Sequence, residues 1–125
     1  MTIWGPLRYL YVGSSDAARD IDHWSKALGK ESKVWDFSEF DTRVAAFRVS
    51  SGPLWLVAGH RKAPNVLPIF EVPDLEAEVE RLREAGWPAE GETFEVPDGP
   101  CRILKDPSGN EVCLMQVTRG APVGK

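Results

Sequence analysis

Apolar residues in this chain change their spacing several times, and each change marks an element. From Leu7 to Val12 they alternate: Leu7, Tyr9 and Tyr11 share one face and Leu10 and Val12 the other, the period of a strand. Gly13-Ser14-Ser15-Asp16 interrupts the run, and Ser15 or Asp16 can cap a helix. Ala17, Ile21, Trp24 and Leu28 then recur at helical spacing until Gly29 stops them. Lys33 to Phe37 and Arg43 to Val49, rich in Val and aromatics, read as strands. Ser50-Ser51-Gly52 turns the chain into Pro53 to Val57. A three-residue loop there sets Val49 opposite Pro53 and Phe47 opposite Trp55, an aromatic pair contributing ~0.5–1 kcal/mol.

After a linker-like stretch at about 60–66 the pattern restarts. Leu67 to Val72 is a strand; Asp74 caps a helix whose buried stripe is Leu75, Val79 and Leu82, closed by Gly86 and Pro88. Phe94 to Val96 is a short strand, and Pro97-Asp98-Gly99-Pro100 turns into Cys101 to Leu104. Asp106-Pro107-Ser108-Gly109-Asn110 then makes a hairpin loop into Glu111 to Gln116. Pairing around it sets Lys105 opposite Glu111, Ile103 opposite Cys113 and Cys101 opposite Met115. The two caps, Asp16 and Asp74, stand 58 positions apart (74 − 16), and the two Ser-Gly turns 57 (108 − 51). The chain thus reads as one βαβββ unit written twice: module one at about 7–59, module two at about 67–117, in a single domain of α+β class over 1–125. One helix per unit leaves a sheet face uncovered, so the units are expected to share its burial.

Composition narrows the partners. With 125 residues, 42% hydrophobic and 27% charged, the chain is long enough to bury a core. A formal net charge of −4 argues against nucleic acid or an anionic membrane as partner. Apolar runs are too short to span a bilayer. Met1 to Pro6 lacks a signal-peptide layout, so the cytoplasm is the expected compartment. There, the 2 cysteines, Cys101 and Cys113, are expected to be free thiols. No Cys-x-x-Cys occurs, and His23 and His60 lie far apart, so local sequence contains no zinc motif.

The duplicated βαβββ plan resembles the vicinal oxygen chelate superfamily, which includes glyoxalase I, extradiol dioxygenases, fosfomycin-resistance enzymes and bleomycin-resistance proteins. The resemblance rests on Trp24-Ser25-Lys26-Ala27-Leu28-Gly29, Phe70-Glu71-Val72-Pro73-Asp74-Leu75 and Asp106-Pro107-Ser108-Gly109-Asn110, and covers residues 7 to 117. It implies sheets curled into a cleft or partly open barrel, a homodimer, and in the enzymes a divalent metal held by His and Glu. Carried over one at a time, the ligand positions fall on Leu7 or Tyr9, on Leu56 or Trp55, on Leu67 and on Cys113. None is His, Asp or Glu, so no metal and no cofactor are expected.

What remains suits binding without a metal. Apolar and aromatic positions are the usual lining of a small-molecule site, and the candidates are Tyr9, Tyr11, Trp35, Phe47, Trp55, His60, Cys113 and Met115. The expected function is metal-independent binding of a small planar or apolar molecule, of sequestration or resistance type. Alternatives are an enzyme of the superfamily (lyase, isomerase or dioxygenase) with an atypical or absent metal site, and an interaction module whose cleft its own side chains fill. His60 is the acid–base candidate and Cys113 the nucleophile candidate. Phe47 and Trp55 also read as core, Cys113 as an apolar filler, and His60 as an exposed loop residue.

Overall fold

The structure, a computed structural model, describes residues 4–39, 42–88 and 91–118. Its α+β architecture is a βαβββ unit built twice. The first comprises β1 (Leu7–Gly13), α1 (Ala17–Leu28), a single 3₁₀ turn (Lys30–Ser32), β2 (Lys33–Glu39), β3 (Thr42–Phe47) and β4 (Leu54–Ala58). The second comprises β5 (Val66–Glu71), α2 (Leu75–Glu84), β6 (Phe94–Val96), β7 (Gly99–Lys105) and β8 (Glu111–Met115). Residues 8–67 form one compact unit; the other begins at residue 68 and takes in the segment ahead of residue 8.

In module one β1 runs parallel to β4, and β4, β3 and β2 are antiparallel neighbours. Asp16 caps α1 by accepting the Arg19 N–H at 3.1 Å, and the Gly29 N–H closes it on the Ser25 carbonyl. Ser14 braces that cap. Its buried hydroxyl donates to Asp20 at 2.5 Å and accepts the Asp16 N–H at 3.1 Å, which holds the Asp20 carboxyl below its ordinary range. Ile21 and the rest of the α1 stripe pack on Ala45, Phe47, Val57 and Trp55. Trp24 meets Trp55 with ring centroids 5.2 Å apart, a tilted pair contributing about 0.5–1.5 kcal/mol beyond its burial. On the same side of the sheet Asp36 joins Lys33 (2.9 Å) and Arg43 (2.8 Å). Partial burial pushes the Asp36 carboxyl up, but the two cations outweigh it and hold it below the usual range.

Module two repeats the scheme in the order β5-β8-β7-β6, with β5 and β8 parallel. Asp74 caps α2 through the Ala77 N–H at 3.1 Å. Leu75, Val79 and Leu82 pack on Val72, Leu104, Val112 and Leu114. The hairpin register is the one expected: Lys105 opposite Glu111, Ile103 opposite Cys113, Cys101 opposite Met115. Its loop is organised by Asp106, whose carboxylate accepts the N–H groups of Ser108 (2.9 Å) and Asn110 (2.8 Å) and the Asn110 amide (3.0 Å). Gly109 sits at φ +93°, where a side chain would be strained.

Two segments outside the helices and strands are tied down. The stretch after β4 is pinned to the end of β1: Gly13 donates to Asn65 (2.9 Å), Ser14 to Arg61 (2.8 Å), and the Arg61 guanidinium to the Asn65 side chain (3.0 Å). The approach is close enough that a Cβ on Gly13 would lie 2.5 Å from the Lys62 carbonyl. Residues 4–6 belong to module two. Gly5 donates to Glu71 (2.7 Å), Glu71 donates to Pro6 (2.9 Å), the Trp4 indole donates to Glu78 (2.6 Å), and its ring tilts against Phe70 at 5.0 Å.

Candidate functional site

Strand register sorts the candidate residues by face. In module one the rows Leu10–Trp55–Phe47 and Val12–Val57–Ala45 lie under α1. The rows Tyr11–Leu56–Ala46–Trp35 and Gly13–Ala58–Val44–Phe37 lie on the helix-distal face, with Tyr9 and Leu54 alongside. Phe47 and Trp55 are therefore corrected: they pair across the strands as expected, but beneath the helix, and Phe47 is fully buried. Alternation decides this, because Trp55 is one residue out of step with Leu54 and Leu56.

On the helix-distal face an aromatic closes each end of the first row. Tyr11 and Trp35 are separated by β4 and β3, a span of about 14 Å at the usual strand spacing. The floor between them is Leu56 and Ala46, with Ala58 and Val44 in the next row, all buried. The half-buried rim is thus the accessible part: Tyr11 at one edge, Trp35 and Phe37 at the other. Trp35 stacks on Phe37, centroids 4.1 Å apart and planes 28° apart, which supplies the cover its indole needs. Phe37 was missed in the sequence, although a residue two positions along a strand must share the face of Trp35.

Tyr11 and His60 meet. The Tyr11 hydroxyl hydrogen-bonds the His60 Nδ1, the His60 backbone N–H bonds the same oxygen, and the rings lie 5.9 Å apart. Burial pushes the phenol well above its ordinary value, although the His60 N–H and the nearby Arg61 charge pull the other way. His60 itself is exposed. The contact joins residues 49 apart in sequence.

Cys113 and Met115 belong to module two, on its helix-distal face with Cys101, Ile103, Leu67 and Ile69. Cys101, Cys113 and Met115 are all buried. Contact with the Cys113 thiol, then burial, push the Cys101 thiol far up, so it stays protonated. A protonated thiol is a poor nucleophile.

The positions that the superfamily uses for metal ligands can now be tested. Leu7, Tyr9 and Leu56 share the helix-distal face of module one, which sets aside the Trp55 alternative; Leu67 and Cys113 share that of module two. One thiol and one phenol among leucines do not make a divalent-cation site. Among the described residues no three His, Cys, Asp or Glu side chains converge. The residues present do not fit the metal.

The family model for the glyoxalase-like domain matches residues 9–115. The chain belongs to that family. With it comes membership of the vicinal oxygen chelate superfamily. This glyoxalase-like chain is similar in structure to methylmalonyl-CoA epimerase from Mycobacterium tuberculosis, with a TM-score of 0.73 at 16% identity over 95% of this chain and 92% of that one. A Streptomyces coelicolor methylmalonyl-CoA epimerase variant in complex with 2-nitronate-propionyl-CoA gives 0.69 at 12%, over 93% and 99%. A hypothetical protein from Bacillus halodurans gives 0.68 at 8%, over 92% and 96%. At these identities the likeness is one of fold. No curated protein matches the sequence. Among the described residues no helix is long and apolar enough to cross a membrane.

Proposed function

We propose that this glyoxalase-like protein binds a small, planar or apolar molecule without a metal, against the aromatic rim of module one. The observation that carries this reading is the half-buried set Tyr11, Trp35 and Phe37 around a floor lacking oxygen and nitrogen donors. Aromatic faces supply area at low entropic cost, and the Tyr11 hydroxyl with His60 supplies one polar contact. Because the floor is buried, a ligand seats on the rim or displaces a ring. Binding is expected to quench Trp35 fluorescence, with Trp35→Phe as the control that removes the signal. A panel of planar aromatic and cationic compounds that leaves the emission of the wild-type protein unchanged would falsify this reading.

The epimerase neighbours and the Tyr11–His60 pair favour a second reading, a metal-independent isomerase or lyase. Here His60 Nε2 takes a proton from a carbon acid on the rim and returns it, in the tautomer whose Nδ1–H donates to the Tyr11 oxygen. Incubation with methylmalonyl-CoA in deuterated buffer, with chelator present, tests it. Deuterium at the α-carbon that vanishes in His60→Gln supports this reading; no exchange above the uncatalysed rate for that thioester and simpler acyl thioesters sinks it.

A further inference from the structure

Module two gathers three sulfur side chains that neither reading uses. Cys101 and Met115 are direct partners across β7 and β8, and Cys113 stands two residues from Met115 on the same face of β8. Cys101 and Cys113 are diagonal neighbours across the same two strands. Ile103 and Ile69 stand on either side of Cys113 in its row, while Glu71 stands opposite Met115 in the next. The three are only 2%, 2% and 1% exposed.

We propose that Cys101, Cys113 and Met115 form a binding site for copper(I). Thiolate and thioether donors are soft, and among biological cations they select Cu(I). The donor number agrees: Cu(I) accepts two or three ligands, whereas structural zinc takes four from Cys and His. Among the described residues no third His, Cys, Asp or Glu joins the two thiols, so a zinc set is not completed. Binding exchanges both thiol protons for the cation, 2 R–SH + Cu⁺ giving R–S–Cu–S–R⁻ + 2 H⁺, with the Met115 thioether as a third, neutral donor. No electron moves.

The test uses the full chain, reduced and anaerobic, with Cu(I) presented as its bicinchoninate complex. The protein is expected to take one copper per chain and to show a sulfur-to-copper charge-transfer band in the ultraviolet. X-ray absorption of the loaded protein should show a first shell of sulfur only. Cys101→Ala and Cys113→Ala should each weaken binding by about 100-fold or more, and Met115→Leu, which conserves volume, by about tenfold. Circular dichroism identifies any variant that fails to fold; the wild-type absorption spectrum then still decides the ligand set. Failure of the wild-type protein to draw copper from the chelator overturns the proposal. So does nitrogen or oxygen in the first shell, or competition by equimolar zinc.

Discussion

Beneath α1 the sheet presents Ala45, Phe47 and Val57 to Ile21 and Trp24; beneath α2 it presents Leu104, Val112 and Leu114 to Leu75, Val79 and Leu82. Volumes differ, but the solution is the same: an apolar helical stripe, capped by an aspartate, lying on alternate residues of three strands. The opposite faces share far less. Module one has Tyr11, Trp35 and Phe37 around a floor of Leu56, Ala46, Ala58 and Val44, and module two has Cys113 between Ile69 and Ile103, with Cys101 and Met115 in the next row. A helix lying on a sheet dictates apolar side chains of fitting size. The helix-distal face is under no such demand from its own module, and there the two copies carry different chemistry.

Truncation on the helix-covered faces breaks the comparison most severely. Phe47→Ala should cost about 3–5 kcal/mol and Leu114→Ala about 2–5 kcal/mol, both read from denaturant unfolding. A module that tolerates its truncation with an unchanged midpoint would show that its helix is not packed as described. The distal rim should behave in the opposite way. Trp35→Ala is expected to lower stability by only about 1 kcal/mol, chiefly the lost stacking on Phe37, while removing ligand-dependent quenching altogether.

Smaller effects test whether the two helices start alike. Asp16→Ala and Asp74→Ala should each cost about 1 kcal/mol, and a marked inequality would mean that Ser14 partly replaces Asp16. The weakest expected effect concerns Asp36. Its folded-state carboxyl is held below the usual range, so its contribution is fully present above the unfolded value of about 3.9 and is lost as pH falls through the folded value. With the side chain about a third exposed, that contribution is at most about 1 kcal/mol. Asp36→Asn should flatten the acid limb of the stability curve by that amount and leave its upper limb parallel to wild type.

How much of this was legible depended on the range of each signal. Period and punctuation located the caps Asp16 and Asp74 and both helices, because capping and helical spacing act within a few residues. The last hairpin was readable down to Cys101 opposite Met115, since loop length alone fixes that register. The site was less legible. Tyr9 and Tyr11 were correctly put on one face, whereas Trp55, offered both as lining and as core, falls beneath the helix, one alternation step from Leu56. The Tyr11–His60 and Trp4–Glu78 contacts join residues distant in sequence, and no local pattern encodes them. Phe37 and Cys101 were within reach, each one alternation step from a residue already singled out.

The seating of residues 4–6 on module two also bears on how the molecule comes into being. A ribosome makes Trp4, Gly5 and Pro6 first, yet their partners Phe70, Glu71 and Glu78 emerge more than sixty residues later. The chain must therefore hold its leading segment unpaired through the synthesis of all of module one. A gene cut at the linker would give a second fragment without its own fastening. Despite their common plan, the halves are not interchangeable parts: one copy is closed by residues that the other copy's coding sequence carries.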